Sequence, residues 1–324
     1  MSYQVTKLAD LAHTPANFPT IIANDGSVST VDEATIWIEE NLPTLKQELA
    51  ATGALLFRGF PVTSAQEYDQ FFAGFGYGNF TYKESLSNAV RINHTDVVFT
   101  ANEAPKDVEI YLHNEMAQTP LFPSVISLFC QSAAEQGGAT VVCRSDRIYE
   151  EIVREEPELT QKLEDHGVRY TTRMPAEDAR ESGQGRSWRG TLSVDTVDAA
   201  EAKLRELGYS WRWEPDGALL AQTAPLAAIR VLEDGRRSFF NQILAAYLGW
   251  EGARENPSSA LCFGDDSELP KSYMESLVKI AEGLSYDIDW QDQDVAVVSN
   301  HLAMHGRRPY AGERKRVVLV ALGR

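Results

Sequence analysis

Histidine and acidic side chains supply the chemistry that this sequence offers. His113 and Glu115 stand two positions apart, and His305 lies much later in the chain. In an extended segment, residues i and i+2 point to the same side, so His113 and Glu115 can reach one ion. Two imidazoles and one carboxylate can occupy one face of an octahedral Fe(II), the ligand set of non-haem iron oxygenases. The spacing therefore indicates an iron centre.

Other histidines in the sequence are able to serve the same purpose. His94 and Asp96 form a second histidine–acid pair with the same spacing, and His301 lies close to His305. With six histidines and 47 acidic residues, about one such pair is expected by chance. The short motif alone therefore leaves the choice of ligands open.

Composition limits the kinds of partner that the protein can have. The formal net charge is −17, which disfavours nucleic acid and anionic membrane surfaces. No apolar run approaches the length of a membrane span, and the first residues show no secretory signal pattern. The three cysteines, Cys130, Cys143 and Cys262, are widely spaced, which argues against a disulfide framework. We therefore expect a protein of the reducing cytoplasm.

Apolar patterns predict short strands interspersed with a few helices. Helices are predicted at 43–52, 64–75, 146–154, 197–207 and 272–284. Strands are predicted at 54–57, 124–131, 140–143, 295–298 and 317–320. Ser145 is the expected N-cap of the helix that follows it, and 173–193 is predicted to be an irregular loop. Because no strand–helix–strand rhythm appears, the expected class is α+β around a β-sandwich or barrel.

Several longer motifs, taken in order, resemble one family. They are Leu112-His113-Asn114-Glu115-Met116, Gly137-Gly138-Ala139-Thr140, Phe240-Asn241-Gln242, Phe263-Gly264-Asp265-Asp266-Ser267, and His305-Gly306-Arg307-Arg308-Pro309-Tyr310 followed by Gly312-Glu313-Arg314-Lys315. The chain resembles the TauD/TfdA group of Fe(II)/2-oxoglutarate-dependent dioxygenases. It is most similar to the branch of syringomycin-type aspartyl hydroxylases, and the likeness runs from residue 55 to the end.

The resemblance implies both a fold and a cofactor site. The fold is a distorted double-stranded β-helix, or jelly roll, with flanking helices, here as a single domain over 1–324 with a loop or helical insert at about 173–225. The cofactors are Fe(II), 2-oxoglutarate and O2. A threonine after the glycine turn, here Thr140, binds 2-oxoglutarate in related members, and its interval from the first ligand selects His113 and Glu115 rather than His94 and Asp96. The family pattern places the second histidine ligand immediately before Gly-Arg, which selects His305 rather than His301.

The resemblance also suggests which arginine holds 2-oxoglutarate. Arg314 matches the residue that grips the distal carboxylate, and an arginine fork suits a carboxylate. Arg316 lies two residues further on and is able to take the same role. Arg58 is expected to form a structural ion pair instead.

The substrate is the least defined part of the interpretation. The branch favours amino acids, either free or tethered to a carrier protein, and Arg91, Asn93 and Asn241 are pocket candidates by their placement near matching segments. The carboxylate of Glu115 favours oxygenation, since related halogenases carry a small residue there. Desaturation, cyclisation, a non-catalytic metal-binding jelly roll and a zinc hydrolase are alternatives, and the oligomeric state is open.

Overall fold

A computed structural model describes residues 6–7, 18–81, 85–86, 91–101, 104–178 and 186–324. The α-helices in these ranges are α1 Val31–Thr52, α2 Ala65–Ala73, α3 Ser145–Glu155, α4 Pro157–His166, α5 Trp188–Leu192, α6 Val197–Glu206, α7 Ile243–Gly249 and α8 Lys271–Gly283. The strands are β1 Thr6–Lys7, β2 Thr20–Ala23, β3 Ala54–Arg58, β4 Phe99–Thr100, β5 Ile110–His113, β6 Val125–Ser132, β7 Gln136–Gly137, β8 Thr140–Arg144, β9 Val168–Met174, β10 Ser210–Trp213, β11 Leu219–Gln222, β12 Ile229–Val231, β13 Arg237–Phe239, β14 Leu261–Phe263, β15 Ser285–Ile288, β16 Val295–Ser299, β17 Ala303–Arg307, β18 Tyr310–Ala311 and β19 Val317–Gly323.

Two sheets packed face to face form the centre of the molecule. A seven-stranded sheet has the order β1-β2-β3-β16-β6-β19-β4, and a four-stranded sheet has the order β15-β8-β17-β5. One buried cluster joins them, because it contains Leu56 and Ile126 from the first sheet together with Val142 and Ala303 from the second. This arrangement confirms the predicted α+β jelly roll.

Helices cover the outer face of each sheet. Helices α1 and α2 pack on the seven-stranded sheet through a cluster that includes Trp37, Phe71 and Phe57. Helices α3, α7 and α8 pack on the four-stranded sheet through a second cluster that includes Ile148 and Met304. The two sheets are therefore enclosed between helical layers, and their facing sides form the interior of the roll.

Helix α1 begins well before the predicted start at residue 43. The Thr30 side chain accepts a hydrogen bond from the Glu33 amide, and the Glu33 carboxylate accepts one from the Thr30 amide, which together form a capping box. Trp37 is buried on the same face as Leu45. Pro43 therefore lies inside the helix rather than at its start.

Two further local predictions need correction. Ser145 is the first residue of α3 rather than its N-cap, and the capping position, Arg144, makes no side-chain cap hydrogen bond. The predicted loop 173–193 contains the end of β9 and all of α5, while 179–185 lie outside the described residues. Strand β9 belongs to a further sheet, with the order β10-β11-β9-β14. The division of 1–324 as a single domain with an insert stays a prediction.

Arg58 forms the structural ion pair that was expected of it. It ends β3, and its Nη2 atom lies 2.7 Å from Oδ2 of Asp294, which is fully buried. The same Nη2 donates to the Asp289 carbonyl at 2.9 Å. The arginine thus holds the turn between β15 and β16.

None of the helices in the described ranges combines the length and the apolar character that crossing a membrane requires.

Candidate metal centre

His113, Glu115 and His305 meet in the interior of the roll. The Nε2 atoms of His113 and His305 lie 3.7 and 3.4 Å from Oε2 of Glu115. One ligand atom from each residue falls within a common span of 4.8 Å, and among the described residues no other such group of three is found. The predicted ligands are therefore brought together.

Strand pairing is what places the two histidines side by side. His305 on β17 stands opposite His113 on β5, and opposite Val142 on β8 at its other edge. Gly306 permits this close approach, because a Cβ there would lie 2.4 Å from the carbonyl oxygen of Ile110. The glycine after His305 is thus a packing requirement of the site.

The pKa shifts of Glu115 and His305 suit a divalent metal. Burial alone would raise the pKa of Glu115, but hydrogen bonds and charges from both imidazoles bring it well below its usual value. Burial lowers the pKa of His305, and the nearby His113 lowers it further. A carboxylate and a neutral imidazole are the forms that bind metal.

His113 is oriented by its own strand. Its Nδ1 atom lies 2.8 Å from the Tyr111 carbonyl oxygen. Because a carbonyl only accepts, Nδ1 must carry the proton and Nε2 keeps its lone pair for an ion. The donor set of two imidazoles and one carboxylate therefore fits Fe(II).

Two asparagines that the sequence reasoning missed hold the backbone of the metal motif. Asn300 accepts from the Glu115 amide at 2.6 Å and donates to the Glu115 carbonyl at 3.0 Å. Asn114 donates to the Asn300 carbonyl at 2.7 Å. Both are fully buried. The sequence signal for Asn114 is its position between two ligands, and that for Asn300 is its position five residues before His305.

Asn241 belongs to the same support rather than to an open pocket. It is fully buried, its amide donates to Oδ1 of Asn114, and its side chain donates to the Ala228 carbonyl at 3.1 Å. Its Oδ1 atom accepts from the Ile243 amide at the start of α7. These contacts occupy its side chain, and a contact of Asn241 with substrate stays a prediction.

Thr140 lies beside the candidate metal centre. It begins β8 two positions before Val142, so both side chains point to the face that carries His305. Thr140 is 3% exposed, and its Oγ1 atom accepts a hydrogen bond from Nε1 of Trp290 at 3.0 Å.

Arg316 reaches the glycine turn that precedes Thr140. Its Nε atom donates to the Gly138 carbonyl at 2.9 Å. Gly138 has a φ of +74°, and a Cβ there would lie 3.0 Å from Cδ of Arg316. Burial, and then the charge of Arg307, lower the pKa of Arg316 to about 10. Among the described residues no carboxylate forms an ion pair with it.

Arg314 has a different environment. Its side chain is 48% exposed and pairs with Asp292. Strand β19 begins only at Val317, so Arg314 and Arg316 both precede the strand and do not share a strand face. The two arginines are therefore not equivalent candidates.

One family of known proteins matches nearly the whole chain. The family model described as taurine catabolism dioxygenase TauD, TfdA family matches residues 17–322. The chain belongs to the TauD/TfdA family. It is an oxidoreductase, a dioxygenase dependent on Fe(II) and 2-oxoglutarate, with a candidate His-Glu-His iron site.

Individual relatives agree with this family. A clavaminate synthase-like protein of Arabidopsis thaliana is 35% identical over 268 residues, which cover 82% of this chain and 81% of that protein. The dapdiamide synthesis protein DdaC of Enterobacter agglomerans is 25% identical over 285 residues, which cover 84% and 83%. A taurine dioxygenase structure from Burkholderia xenovorans has a TM-score of 0.54 at 14% identity and covers 100% of this chain and 90% of that one, a likeness of fold.

The residues near position 94 lie outside the group of three candidate ligands. His94 and Asp96 are both exposed in a turn, where the His94 amide donates to the Val98 carbonyl. Asn93 is also exposed and forms a backbone bridge with Phe99. Arg91 is partly buried, and its charge helps to lower the pKa of His305. Of these four residues, Arg91 is the one whose charge acts at the metal centre.

His301 is a packing residue. Its ring meets the rings of Phe122 and Phe240 edge-on, with centroids 5.9 and 5.6 Å away. Burial, and then the charge of Arg230, lower its pKa to about 4. Its neutral imidazole is therefore part of an aromatic cluster, separate from the three ligands.

Substitutions in the two histidine–acid pairs, His113/Glu115 and His94/Asp96, should affect Fe(II) binding differently. We expect Glu115→Ala to weaken Fe(II) binding by more than the ~10–100-fold that loss of an outer-shell partner costs, because a direct ligand is removed. Asp96→Ala is the matched control and should bind Fe(II) as the wild type does. Anaerobic competition with a chromogenic chelator measures both affinities, and metal-free melting confirms that both variants fold. An Asp96→Ala protein that folds without binding iron, beside an unaffected Glu115→Ala, would refute the assignment.

His301 predicts an acid-sensitive part of the stability. The unfolded chain takes up a proton near pH 6.5, whereas the folded protein does so only near pH 4. The buried, neutral His301 therefore contributes to the free energy of unfolding in full above pH 6.5. This contribution, up to about 3 kcal/mol, is lost as the pH falls toward 4. Urea unfolding of the wild type and His301→Gln across this range should show a smaller acid loss in the variant. Identical acid profiles would contradict the prediction.

Proposed function

We propose that this dioxygenase hydroxylates an unactivated C–H bond of an amino acid or an amino-acid derivative in specialised metabolism, with release of succinate and CO2. The observation that carries the cofactor part is the positive charge of Arg316 next to Thr140. A partly buried guanidinium calls for an anion, and the described residues supply no carboxylate for it. The distal carboxylate of 2-oxoglutarate fits this place.

In this proposal the side chains divide into two groups. His113, Glu115 and His305 hold Fe(II), and Thr140 and Arg316 hold the far carboxylate of 2-oxoglutarate. When bound, iron would activate O2, the oxidant, and 2-oxoglutarate would supply the two electrons that the hydroxylation does not take from the substrate. Glu115 fills one ligand position with a carboxylate, which favours oxygenation of the substrate. The surrounding sheets exclude water from the cofactor.

Arg91 is the proposed contact to the substrate. Arg91 is partly buried, and after burial and His113 its charge also lowers the pKa of His305, so its guanidinium lies within electrostatic reach of the metal centre. A carboxylate of an amino-acid substrate would complement it. Likeness to a dapdiamide synthesis protein supports an amino-acid-derived substrate, free or presented by a carrier protein. Asn93 is a further candidate contact at the exposed end of this segment.

The cellular setting is also a proposal. Cys130, Cys143 and Cys262 are all free thiols and all buried. Unpaired cysteines suit a reducing compartment, which supports the cytoplasm.

The clamp is tested by exchanging the two arginines separately. Arg316→Gln should weaken 2-oxoglutarate binding roughly 30-fold or more, since losing a charge-assisted contact to a buried anion costs on the order of 2–5 kcal/mol. Arg314→Gln is the matched control and should bind normally, because its side chain faces solvent and Asp292. Anaerobic titration of the Fe(II) protein, followed by the charge-transfer absorption of bound 2-oxoglutarate, gives both affinities. A defect in Arg314→Gln with normal Arg316→Gln would reverse the assignment.

The substrate class is tested by pairs of compounds that differ only in charge. The iron-loaded protein, with O2 and 2-oxoglutarate, should release succinate faster with certain amino acids than without them. The matching amino acid amides should give no such increase, because they lack the carboxylate that Arg91 is proposed to bind. Product mass separates a gain of one oxygen atom from a loss of two hydrogen atoms, and so hydroxylation from desaturation. Equal stimulation by acid and amide would contradict the role of Arg91.

A further inference from the structure

The hydrogen bond between Trp290 and Thr140 has a fixed direction. An indole N–H is a donor only, so the Thr140 hydroxyl oxygen must act as the acceptor at 3.0 Å. The hydroxyl proton of Thr140 then points elsewhere. Among the described residues no acceptor receives this proton, although Thr140 is only 3% exposed. A buried hydroxyl proton without an acceptor is costly, so the site favours a ligand atom that accepts.

We propose that Trp290 is a positioning residue, which holds the Thr140 hydroxyl as a donor toward the distal carboxylate of 2-oxoglutarate. This inference rests on the proposed cofactor site and adds a residue to it. Without the indole, the Thr140 hydroxyl could rotate and act as donor or acceptor. With the indole occupying one acceptor position of its oxygen, the Thr140 hydroxyl is oriented to direct its proton toward the ligand, where it and Arg316 both match the oxygens of a carboxylate.

The backbone around Trp290 is built to hold the indole in place. Strand β15 ends at Ile288, which stands directly opposite Thr140 in the sheet. Trp290 follows two residues later and packs on the buried cluster between the two sheets. The turn itself is fixed, because Arg58 donates to the Asp289 carbonyl and Asp294 accepts from the Gln291 amide at 2.9 Å.

A double-mutant cycle tests whether Trp290 acts through Thr140. Trp290→Phe keeps an aromatic ring but removes the donor, and should weaken 2-oxoglutarate binding about fivefold, the typical effect of one hydrogen bond. Thr140→Val removes the hydroxyl and should weaken it about tenfold or more, because the lost bond is to a charged group. The double variant should bind within about twofold of Thr140→Val, since the indole then has no hydroxyl to orient. Anaerobic titration of the charge-transfer absorption gives all four affinities.

Controls separate this role from packing. Tyr286→Phe removes a polar atom from another aromatic residue of the same cluster and should leave 2-oxoglutarate affinity unchanged. Iron stoichiometry and melting temperature should be retained in every variant.

Three outcomes would overturn the inference. One is that the fold-losses in 2-oxoglutarate affinity of the two single variants multiply in the double variant, which would assign Trp290 a packing role independent of the Thr140 hydroxyl. Another is normal affinity in Thr140→Val. The third is absence of the absorption band in the iron-loaded wild type, which would refute the cofactor site itself and so is distinguishable from the first two.

Discussion

Keeping a carboxylate charged inside the protein is the constraint on which the rest of the site depends. Glu115 is 8% exposed, and a buried charge is tolerated only when it is paired. Its partners come from two separate strands, so β5 and β17 must pair in one register. A slip of one residue would turn His113 or His305 to the opposite face of the sheet. The register is therefore as much a part of the metal centre as the ligands.

The buried asparagines form the hydrogen bonds that the backbone around Glu115 requires. Glu115 follows the end of β5, where its backbone amide and carbonyl have left the ladder. Asn300 satisfies both groups with one side-chain amide, and Asn114 in turn ties down the Asn300 carbonyl. Unpaired backbone groups at this depth would be expensive. Supporting hydrogen bonds and ligand orientation are thus obtained from the same contacts.

Two arginine side chains, Arg307 and Arg316, lie close together at the proposed cofactor site, although the protein as a whole is strongly acidic. The Arg307 guanidinium donates to the carbonyls of Pro105 and Val108 at 2.7 and 2.6 Å. The Tyr310 ring lies 5.3 Å from the guanidinium carbon of Arg307 and 5.8 Å from that of Arg316. A ring between two cations eases their proximity. An arriving dianion would relieve the repulsion that remains, so the local charge favours 2-oxoglutarate despite the net charge of −17.

The jelly roll and the choice of the three candidate ligands followed from the resemblance of the motifs to a known family. The sequence pattern by itself was sufficient for the α+β class and for the types of metal-binding side chain, because strand patterns are local and imidazole and carboxylate groups are the usual ligands of such a metal ion. It could not separate Arg314 from Arg316, because the difference lies in Asp292 and Gly138, which are distant in the chain. Asn241 illustrates the same limit, because a polar residue in a matching segment gives no sign in the sequence that its side chain donates to a buried carbonyl.

The dependence on distant residues extends to strand β3 of the roll. Arg58 lies far from every cofactor motif, yet it holds the turn that carries Trp290 through the Asp289 carbonyl and the buried Asp294. Strand β3 pairs with β16, which begins at Val295 directly after that turn. The direction of the Thr140 hydroxyl therefore depends on an ion pair formed across more than two hundred positions of the chain. A match to the histidine and glycine motifs alone would not include this support, which is why the site has to be defined by its packing as well as by its ligands.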